Sequence, residues 1–244
     1  MRSTLFLMFL LGCPSLLLAG WFGADFSADA VQYDPQNRSV SGRMFVGKGR
    51  VRTELTRDGV SVVEIIDPEK AVALLLFPSR KQYMERRLPK MAEDASDAGN
   101  PCNELPNMQC HKIGTEKINE REAEKWEITN PAGEKAYQWS DLEHHFAIKR
   151  EFAGSVMLEL TYQGNEALNG RNTEKWRSVL MQNDGKPLES YQWYDPKLNI
   201  AIKQALADGS VRVLKNIVVA AQPDTLFQVP ADFQKVSAEQ PPAK

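Results

Sequence analysis

The sequence predicts a mainly β protein: a single curled antiparallel sheet, an unclosed barrel with little helix, formed by a meander of three repeated units. Three observations predict this fold. Two segments of the chain are near copies, apolar and polar residues alternate within them, and turn sequences containing glycine separate the alternating runs. The most similar parts of the two copies are EKWEITNPAGEKAYQWSD (124–141) and EKWRSVLMQNDGKPLESYQWYD (174–195). A repeated sequence indicates a repeated structural unit.

The repeat extends beyond these two segments. GTEKINEREAEKW (114–126) matches GNEALNGRNTEKW (164–176), and FAIK matches IAIK further along the copies, in the same order. A fainter first copy precedes them, in which Asp58-Gly59 and Asp67-Pro68 stand at corresponding turn positions. The chain is therefore read as three successive units.

Within each unit the apolar residues recur with a period of two. Successive side chains of a β-strand point to opposite faces, so residues two apart share a face. The pairs are Trp126 and Ile128, Tyr137 and Trp139, Phe146 and Ile148, Tyr191 and Trp193, Ile200 and Ile202, and Val211 and Val213. Asp-Gly and Ala-Gly between them supply the turn positions of tight hairpins. This pattern predicts about ten to twelve strands, interrupted at length only between Leu88 and Cys110.

Composition excludes one class of partner. The chain has 244 residues, of which 42% are apolar and 25% charged, and a formal net charge of -2. Its Lys and Arg residues are spread along the sequence, whereas a protein that binds phosphate backbones needs a basic stripe. We therefore expect no nucleic-acid partner.

The N-terminus has the features of a secretory signal peptide. Arg2 precedes an apolar run from Leu5 to Leu18, and the small residues Ala19 and Gly20 follow it, so we expect cleavage in the range from Ala19 to Ala24. We expect residues 1–24 to be removed, residues 25–235 to form one β domain, and residues 236–244 to be a flexible tail. An alternative is that Leu10-Leu11-Gly12-Cys13 is a lipobox, which would anchor the protein through acylated Cys13.

Two cysteines remain after the signal peptide, Cys102 and Cys110. In an oxidising compartment such a close pair predicts a disulfide that stabilises the fold by roughly 2–3 kcal/mol. The alternatives are a zinc site, for which only His111 is an adjacent further ligand, and a redox pair, which would usually be C-x-x-C.

Four stretches carry a resemblance to a known fold. They are GRMFVGKGRVRTEL, IIDPEKAVALLLFPSRKQYMER, the NPC…C loop with GTEKINEREAEKWEI, and LFQVPADFQKV. The chain resembles the LolA-like and LppX-like periplasmic lipoprotein carriers, and most closely a family of bacterial envelope proteins thought to share that fold. The resemblance implies a periplasmic protein whose concave sheet face encloses an apolar cavity for acyl chains or a hydrophobic partner.

The function expected from this reading is binding without catalysis. A lipid moiety or a hydrophobic segment of an acylated envelope protein would bind to the concave face. The expected role is in lipid or lipoprotein trafficking. The protein would be a monomer that makes transient contact with the membrane surface. The alternative is a structural or sensory envelope module with a filled core that acts through protein–protein contacts. The residues predicted to line the cavity are Leu74, Leu76, Trp126, Ile128, Trp139, Ile148, Leu158, Trp193, Ile202 and Val213.

Other chemistry finds little support in the sequence. No G-x-S-x-G occurs, so we expect no enzyme of that kind, and no cofactor is indicated. His144-His145, with Asp141 and Glu143 nearby, is interpreted as a solvated turn and not as a metal site. Two readings stay open: AVALLLF (71–77) is covered on both faces by the chain itself or by a ligand, and the repeated tryptophans anchor the sheet or line the cavity.

Overall fold

The computed structural model describes residues 22–57, 59–88, 99–103, 105, 107–182 and 184–237. Residues 1–21 of the expected signal peptide, Cys13 among them, and most of the expected C-terminal tail lie outside the described residues. The strands in chain order are β1 Phe26–Tyr33, β2 Ser39–Gly47, β3 Arg50–Arg57, β4 Val60–Asp67, β5 Val72–Phe77, β6 Gln82–Arg87, β7 Gln109–Ile118, β8 Arg121–Thr129, β9 Lys135–Asp141, β10 Ala147–Phe152, β11 Ser155–Leu168, β12 Arg171–Met181, β13 Pro187–Asp195, β14 Ile200–Ala205, β15 Val211–Val219 and β16 Gln234–Lys235. Short 3₁₀ turns occur at Pro78–Arg80, Pro101–Asn103 and Asp224–Phe227.

All sixteen of these strands belong to one sheet, in the order β16-β6-β5-β4-β3-β2-β1-β15-β14-β13-β12-β11-β10-β9-β8-β7. Neighbours pair antiparallel except β16, which pairs parallel with β6. The meander therefore has two arms joined by the β1–β15 pair, and it does not close, because β6 and β7 do not pair. The predicted curled, unclosed antiparallel sheet is confirmed.

The number of strands exceeds the ten to twelve expected. Several tight turns carry weak sequence signals. Asn119 and Glu120, for example, form the β7–β8 turn with positive φ values of 48° and 67° although neither is glycine. Asparagine tolerates this left-handed conformation because its short polar side chain bonds locally, whereas glutamate gives no such signal.

The two clear sequence copies have matching backbone irregularities. The register of β7 against β8 shifts between Lys112 and Gly114, and that of β11 against β12 shifts between Tyr162 and Gly164. Each copy has a second bulge. In the pair β9–β10 the bulged residue is Ile148 of β10, and in the pair β13–β14 it is Ile202 of β14. Such bulges increase the local twist of a strand pair, so each copy bends the sheet in the same way.

The sheet has two faces, which follow from register because directly paired residues share a face. The inner face carries Phe26, Met44, Trp126 and Trp176, and the outer face carries the residues that alternate with them, including Trp139. In the β8–β12 arm the inner face is concave. Arg121 of β8 lies 5.0 Å from the Trp176 ring of β12, although four strand spacings in a flat sheet would separate them by about 19 Å.

The two ends of the curled sheet differ. At the closed end, formed by the turns 119–120, 142–146, 169–170 and 196–199, apolar side chains fill the inner face: Phe26, Val46 and Leu198 are fully buried there. The opposite end, formed by the turns 34–38, 130–134, 153–154 and 206–209, is called the open end.

The C-terminal segment, residues 222–236, covers the outer face of the first arm. Phe227 packs on Phe45, Ile65 and Leu76, and the guanidinium of Arg52 donates to the Leu226 carbonyl at 2.8 Å. None of the described helical turns has the length and hydrophobicity that crossing a membrane would require.

Candidate functional site

The structure divides the ten predicted lining residues equally between the two faces of the sheet. Trp126, Ile128, Ile148, Leu158 and Ile202 are on the inner face. Leu74, Leu76, Trp139, Trp193 and Val213 are on the outer face. The sequence could not separate the sets, because an alternating pattern gives the relative orientation of residues within a strand but not between strands.

The outer-face residues are covered by the chain itself. Leu74 and Leu76 lie beneath the C-terminal segment in the cluster built around Phe227. For the outer face of AVALLLF, this decides between the two interpretations left open by the sequence: the protein's own C-terminal segment covers that face.

The outer tryptophans are enclosed between lysine side chains. The ammonium groups of Lys125 and Lys149 lie 4.7 and 4.5 Å from the Trp139 ring centroid. Those of Lys175 and Lys203 lie 5.0 and 4.0 Å from the corresponding ring of Trp193. Cation–π contacts and aliphatic lysine stems thus bury these rings, which leaves them 3% and 6% exposed.

The inner face at the closed end is filled by a buried aromatic and charged cluster. His144, from the β9–β10 turn, lies with its ring centroid 5.8 Å from that of Trp176 and 4.9 Å from that of Tyr194. Phe146 packs on the same two rings. This overturns the interpretation of His144-His145 as a solvated turn, because His144 is buried; tertiary packing was not visible in the local sequence.

Carboxylates lie close to both ring nitrogens of His144, although its buried Nε2 has no partner with hydrogen-bond geometry in the part of the chain that the structure describes. Its Nδ1 lies 3.0 Å from Asp141 Oδ1 and its Nε2 lies 2.9 Å from Glu174 Oε2. Burial lowers the pKa of His144, but the Asp141 hydrogen bond and the negative charge of Glu174 outweigh it and raise that pKa overall. Burial acts to raise the pKa of Asp141, but hydrogen bonds from Arg121 and His144 hold that pKa well below its usual range.

Three potential metal ligands meet at this cluster: Glu143, His144 and Glu174 offer atoms within 4.8 Å of one another. The guanidinium of Arg121 supplies the positive charge at this position. It lies 2.8 Å from Glu143 Oε2 and 3.0 Å from His144 Nδ1. The cluster is therefore an ion-pair network that joins β8, β9 and β12.

Toward the open end, the inner face presents apolar side chains to solvent. Leu158 pairs with Leu180, and Leu180 pairs with Leu188, so these three lie side by side across β11, β12 and β13. Leu180 is 46% and Leu188 is 36% exposed. Tyr162 and Phe152 are exposed on the same half of the face. We call these five residues the apolar patch.

A cleft of about 220 Å³ adjoins the apolar patch. Its lining residues come from the inner face and from the disulfide loop: Leu105, Met108, Ile128, Asn130, Glu134, Ala136, Tyr137, Arg150 and Phe152. Typical small-molecule pockets measure roughly 300–1,000 Å³. The cleft is therefore sized for one end of an apolar ligand, with Phe152 shared between it and the patch.

Of the predicted lining residues, Leu158 belongs to the apolar patch and Ile128 to the cleft. Ile148 and Ile202 are buried in the closed end. Trp126 is buried on the inner face of β8 beside Ile128. Sequence reasoning missed Tyr162, Leu180 and Leu188, although counting in steps of two from Trp176 along β12 would have placed Leu180 on the same face.

Glu64 places a carboxylate on the inner face of the first arm. Glu64 is paired with Thr53 on one side and Leu75 on the other. Burial raises its pKa, and the positive charge of Arg86 offsets part of the rise. This wall is therefore not uniformly apolar.

Comparison with known proteins gives similarity at the level of structure only. No protein-family model matches the chain, and no curated protein matches it. The chain is similar to the crystal structure of a LolA superfamily protein from Nitrosomonas europaea, with 15% identity over 87% of this chain and 94% of that one and a TM-score of 0.39. It is also similar to a domain described as a putative outer membrane lipoprotein-sorting protein from Vibrio parahaemolyticus, with 13% identity, coverage of 86% and 94%, and a TM-score of 0.35.

A third similar structure is a DUF1329 family protein from Desulfovibrio piger, with 11% identity, coverage of 86% and 91%, and a TM-score of 0.30. LolA-type proteins, which the sequence resembles, are thus among the structures to which the chain is similar. At these identities and TM-scores the similarity gives no information about what the chain binds.

Proposed function

We propose that this chain is a periplasmic, non-enzymatic binding protein that holds an apolar ligand against the open half of its inner face. The ligand is a lipid moiety or a hydrophobic segment of an acylated envelope protein, carried during lipid or lipoprotein trafficking. The binding surface consists of the apolar patch and the adjoining cleft.

The observation that carries this proposal is the solvent exposure of Leu180 and Leu188 on a face that is packed at its closed end. Contiguous apolar side chains left open to water are uncommon in soluble proteins and mark interaction sites. An acyl chain of about 16 carbons gains roughly 12 kcal/mol when it is fully removed from water. Even partial enclosure by this surface therefore supplies useful affinity.

The alternative, a structural or sensory module with a filled core, requires an inner face covered by the protein's own side chains. The closed end meets that requirement, because Phe26, Val46 and Leu198 are fully buried. The open half does not, because Leu180 remains 46% exposed. The half-filled inner face favours a ligand that enters from the open end.

Titration with a fluorescent fatty-acid probe tests the proposal. We expect the purified protein to bind the probe, and Leu180→Asp to weaken binding by roughly tenfold or more, because a charge replaces a leucine that would be buried by the ligand. Since Leu180 is half exposed, this substitution leaves the fold intact.

The matched control is Val218→Asp. Val218 is also apolar and is 58% exposed, but it pairs with Ser27 on the outer face. It should bind the probe like the unmodified protein. Equal weakening by both substitutions, or no probe binding by the unmodified protein, would contradict the proposal.

A further inference from the structure

Four polar side chains form a row across the inner face, between the buried apolar residues of the closed end and the open end. Gln192 of β13 pairs with Gln204 of β14, Gln204 with Arg212 of β15, and Arg212 with Gln32 of β1. Directly paired residues have Cβ atoms about 4.5–5.5 Å apart. The row therefore places one guanidinium and three amides side by side on neighbouring strands.

Apolar surface lies in both directions from the row. Toward the closed end, Ile202 and Leu214 are buried in the same face. In the other direction along β13, Ser190 is the next residue on the inner face, and the apolar patch begins after it at Leu188. An amphiphile lying on the patch can therefore place its polar end on the row.

Gln192 has a hydrogen-bond donor without an acceptor. Its side chain is 8% exposed, and its Nε2 has no hydrogen-bond partner among the described residues. A buried donor that lacks an acceptor carries a desolvation cost of about 1–3 kcal/mol. A ligand that brings an acceptor to this point removes that cost.

The matching glutamine of the other copy shows that this deficit is particular to the row. Gln138 stands opposite Trp126 as Gln192 stands opposite Trp176. Gln138 is fully bonded, because its Oε1 accepts from Arg150 at 2.6 Å and its Nε2 donates to Ser140 Oγ at 3.0 Å. Where Gln138 faces Arg150, Gln192 faces Gln204.

Arg212 adds a positive charge to the row. Within the described part of the chain, no carboxylate forms a salt bridge with its guanidinium. The positive charge of Arg212 acts on one nearby acid, Asp208. Hydrogen bonds from Ser210 lower the pKa of Asp208, and the charge of Arg212 lowers it to a smaller degree. Its Oδ1 accepts from the Ser210 backbone N–H and Oγ at 2.8 and 2.6 Å.

From these contacts we infer that the row of Gln192, Gln204, Arg212 and Gln32 binds the anionic headgroup, a carboxylate or a phosphate, of the ligand whose apolar part lies on the patch. This inference rests on the proposed function and specifies the ligand class. Guanidinium and amide N–H groups are all donors, and an oxyanion offers only acceptors. A neutral alcohol would leave most of the donors unsatisfied.

The test compares three ligands with the same twelve-carbon chain: dodecanoate, dodecyl phosphate and dodecanol. Each displaces an uncharged fluorescent alkyl probe from the purified protein. We expect at least one anion to bind roughly tenfold or more tightly than dodecanol, because hydrogen bonds to charged groups are the stronger ones. Arg212→Gln should remove this preference and leave dodecanol binding unchanged, and Arg212→Lys should retain part of it. The anion that binds more tightly identifies the headgroup.

Arg177→Gln is the control, since Arg177 lies on the outer face and pairs with Glu189; it should keep the preference, and all variants should keep the melting temperature. If Arg212→Gln keeps the full preference for the anions, or the unmodified protein shows none, the headgroup site is refuted while the proposed function stands. If neither the probe nor dodecanol binds, the proposed function itself fails.

Discussion

His144 holds together parts of the sheet that are distant in strand order. Its ring touches Asp141 in its own turn and Glu174 on β12, and it packs on Tyr194 of β13. Burial of an imidazolium is unfavourable unless opposite charges surround it, and here two carboxylates do. The cluster therefore stabilises the curvature of the closed end in a way that depends on protonation.

The pH dependence of stability follows from the raised pKa of His144. A histidine whose folded-state pKa lies above its unfolded value of about 6.5 stabilises the fold fully below that pH. The contribution is lost as the pH rises through the folded-state pKa. We expect the melting temperature to fall between pH 6 and pH 9, and His144→Gln to remove most of this fall.

The charged groups that face His144 do not obscure the measurement. Asp141 has a lowered pKa and Tyr194 a raised one, so both keep their charge state between pH 6 and pH 9. Glu174, Arg121 and Glu143 are the remaining charged neighbours. His145→Gln, in the same turn, is the control. If it and His144→Gln change the pH profile equally, the role assigned to His144 is incorrect.

Among the elements, the disulfide loop is the one that most affects the inner face. Cys102 and Cys110 are joined with a Cα–Cα distance of 5.9 Å, as the sequence predicted. The loop is not peripheral: Ser140 Oγ donates to the Gly99 carbonyl at 2.7 Å, and Leu105 and Met108 form one wall of the cleft. The disulfide therefore stabilises the loop and helps to determine the shape of the cleft.

Removing the disulfide should lower stability without abolishing the fold. The chain-entropy estimate for a sequence separation of 8 is about 2.5 kcal/mol. Urea unfolding of Cys102→Ser/Cys110→Ser should show a loss of this size, and far-ultraviolet circular dichroism should remain that of a β protein. The double variant should no longer respond to a reducing agent, which serves as the control. An unchanged free energy of unfolding would show that the bond does not stabilise the described loop.

The extent to which the sequence predicted the structure differs between elements. The disulfide and the period-two pattern around Trp126, Trp139 and Trp193 could be predicted from the sequence, because both depend on residues that are close together in the chain. The face to which each strand turns could not, because it depends on bulges such as those at Ile148 and Ile202 and on pairing between distant strands. Nor did the sequence indicate that Phe227 would cover Leu76.

For the whole molecule, the curl divides the inner face into two halves with different properties. At the closed end, turn residues such as His144 and Leu198 fill the space. At the open end the apolar patch remains uncovered by the described residues, and the polar row lies between it and the closed end. The sequence predicted a curled sheet with an apolar concave face. It could not predict that half of that face would be filled by the protein itself.

Native mass spectrometry of the protein expressed from the full 244-residue sequence and purified without detergent tests the central claim most directly. The account predicts a mass above that of the polypeptide, with lipid extraction releasing an amphiphile that carries a carboxylate or a phosphate. Leu180→Asp should strongly reduce the amount released, and Val218→Asp should not. A preparation with only the polypeptide mass, no extractable lipid and no uptake of added amphiphile would contradict the account.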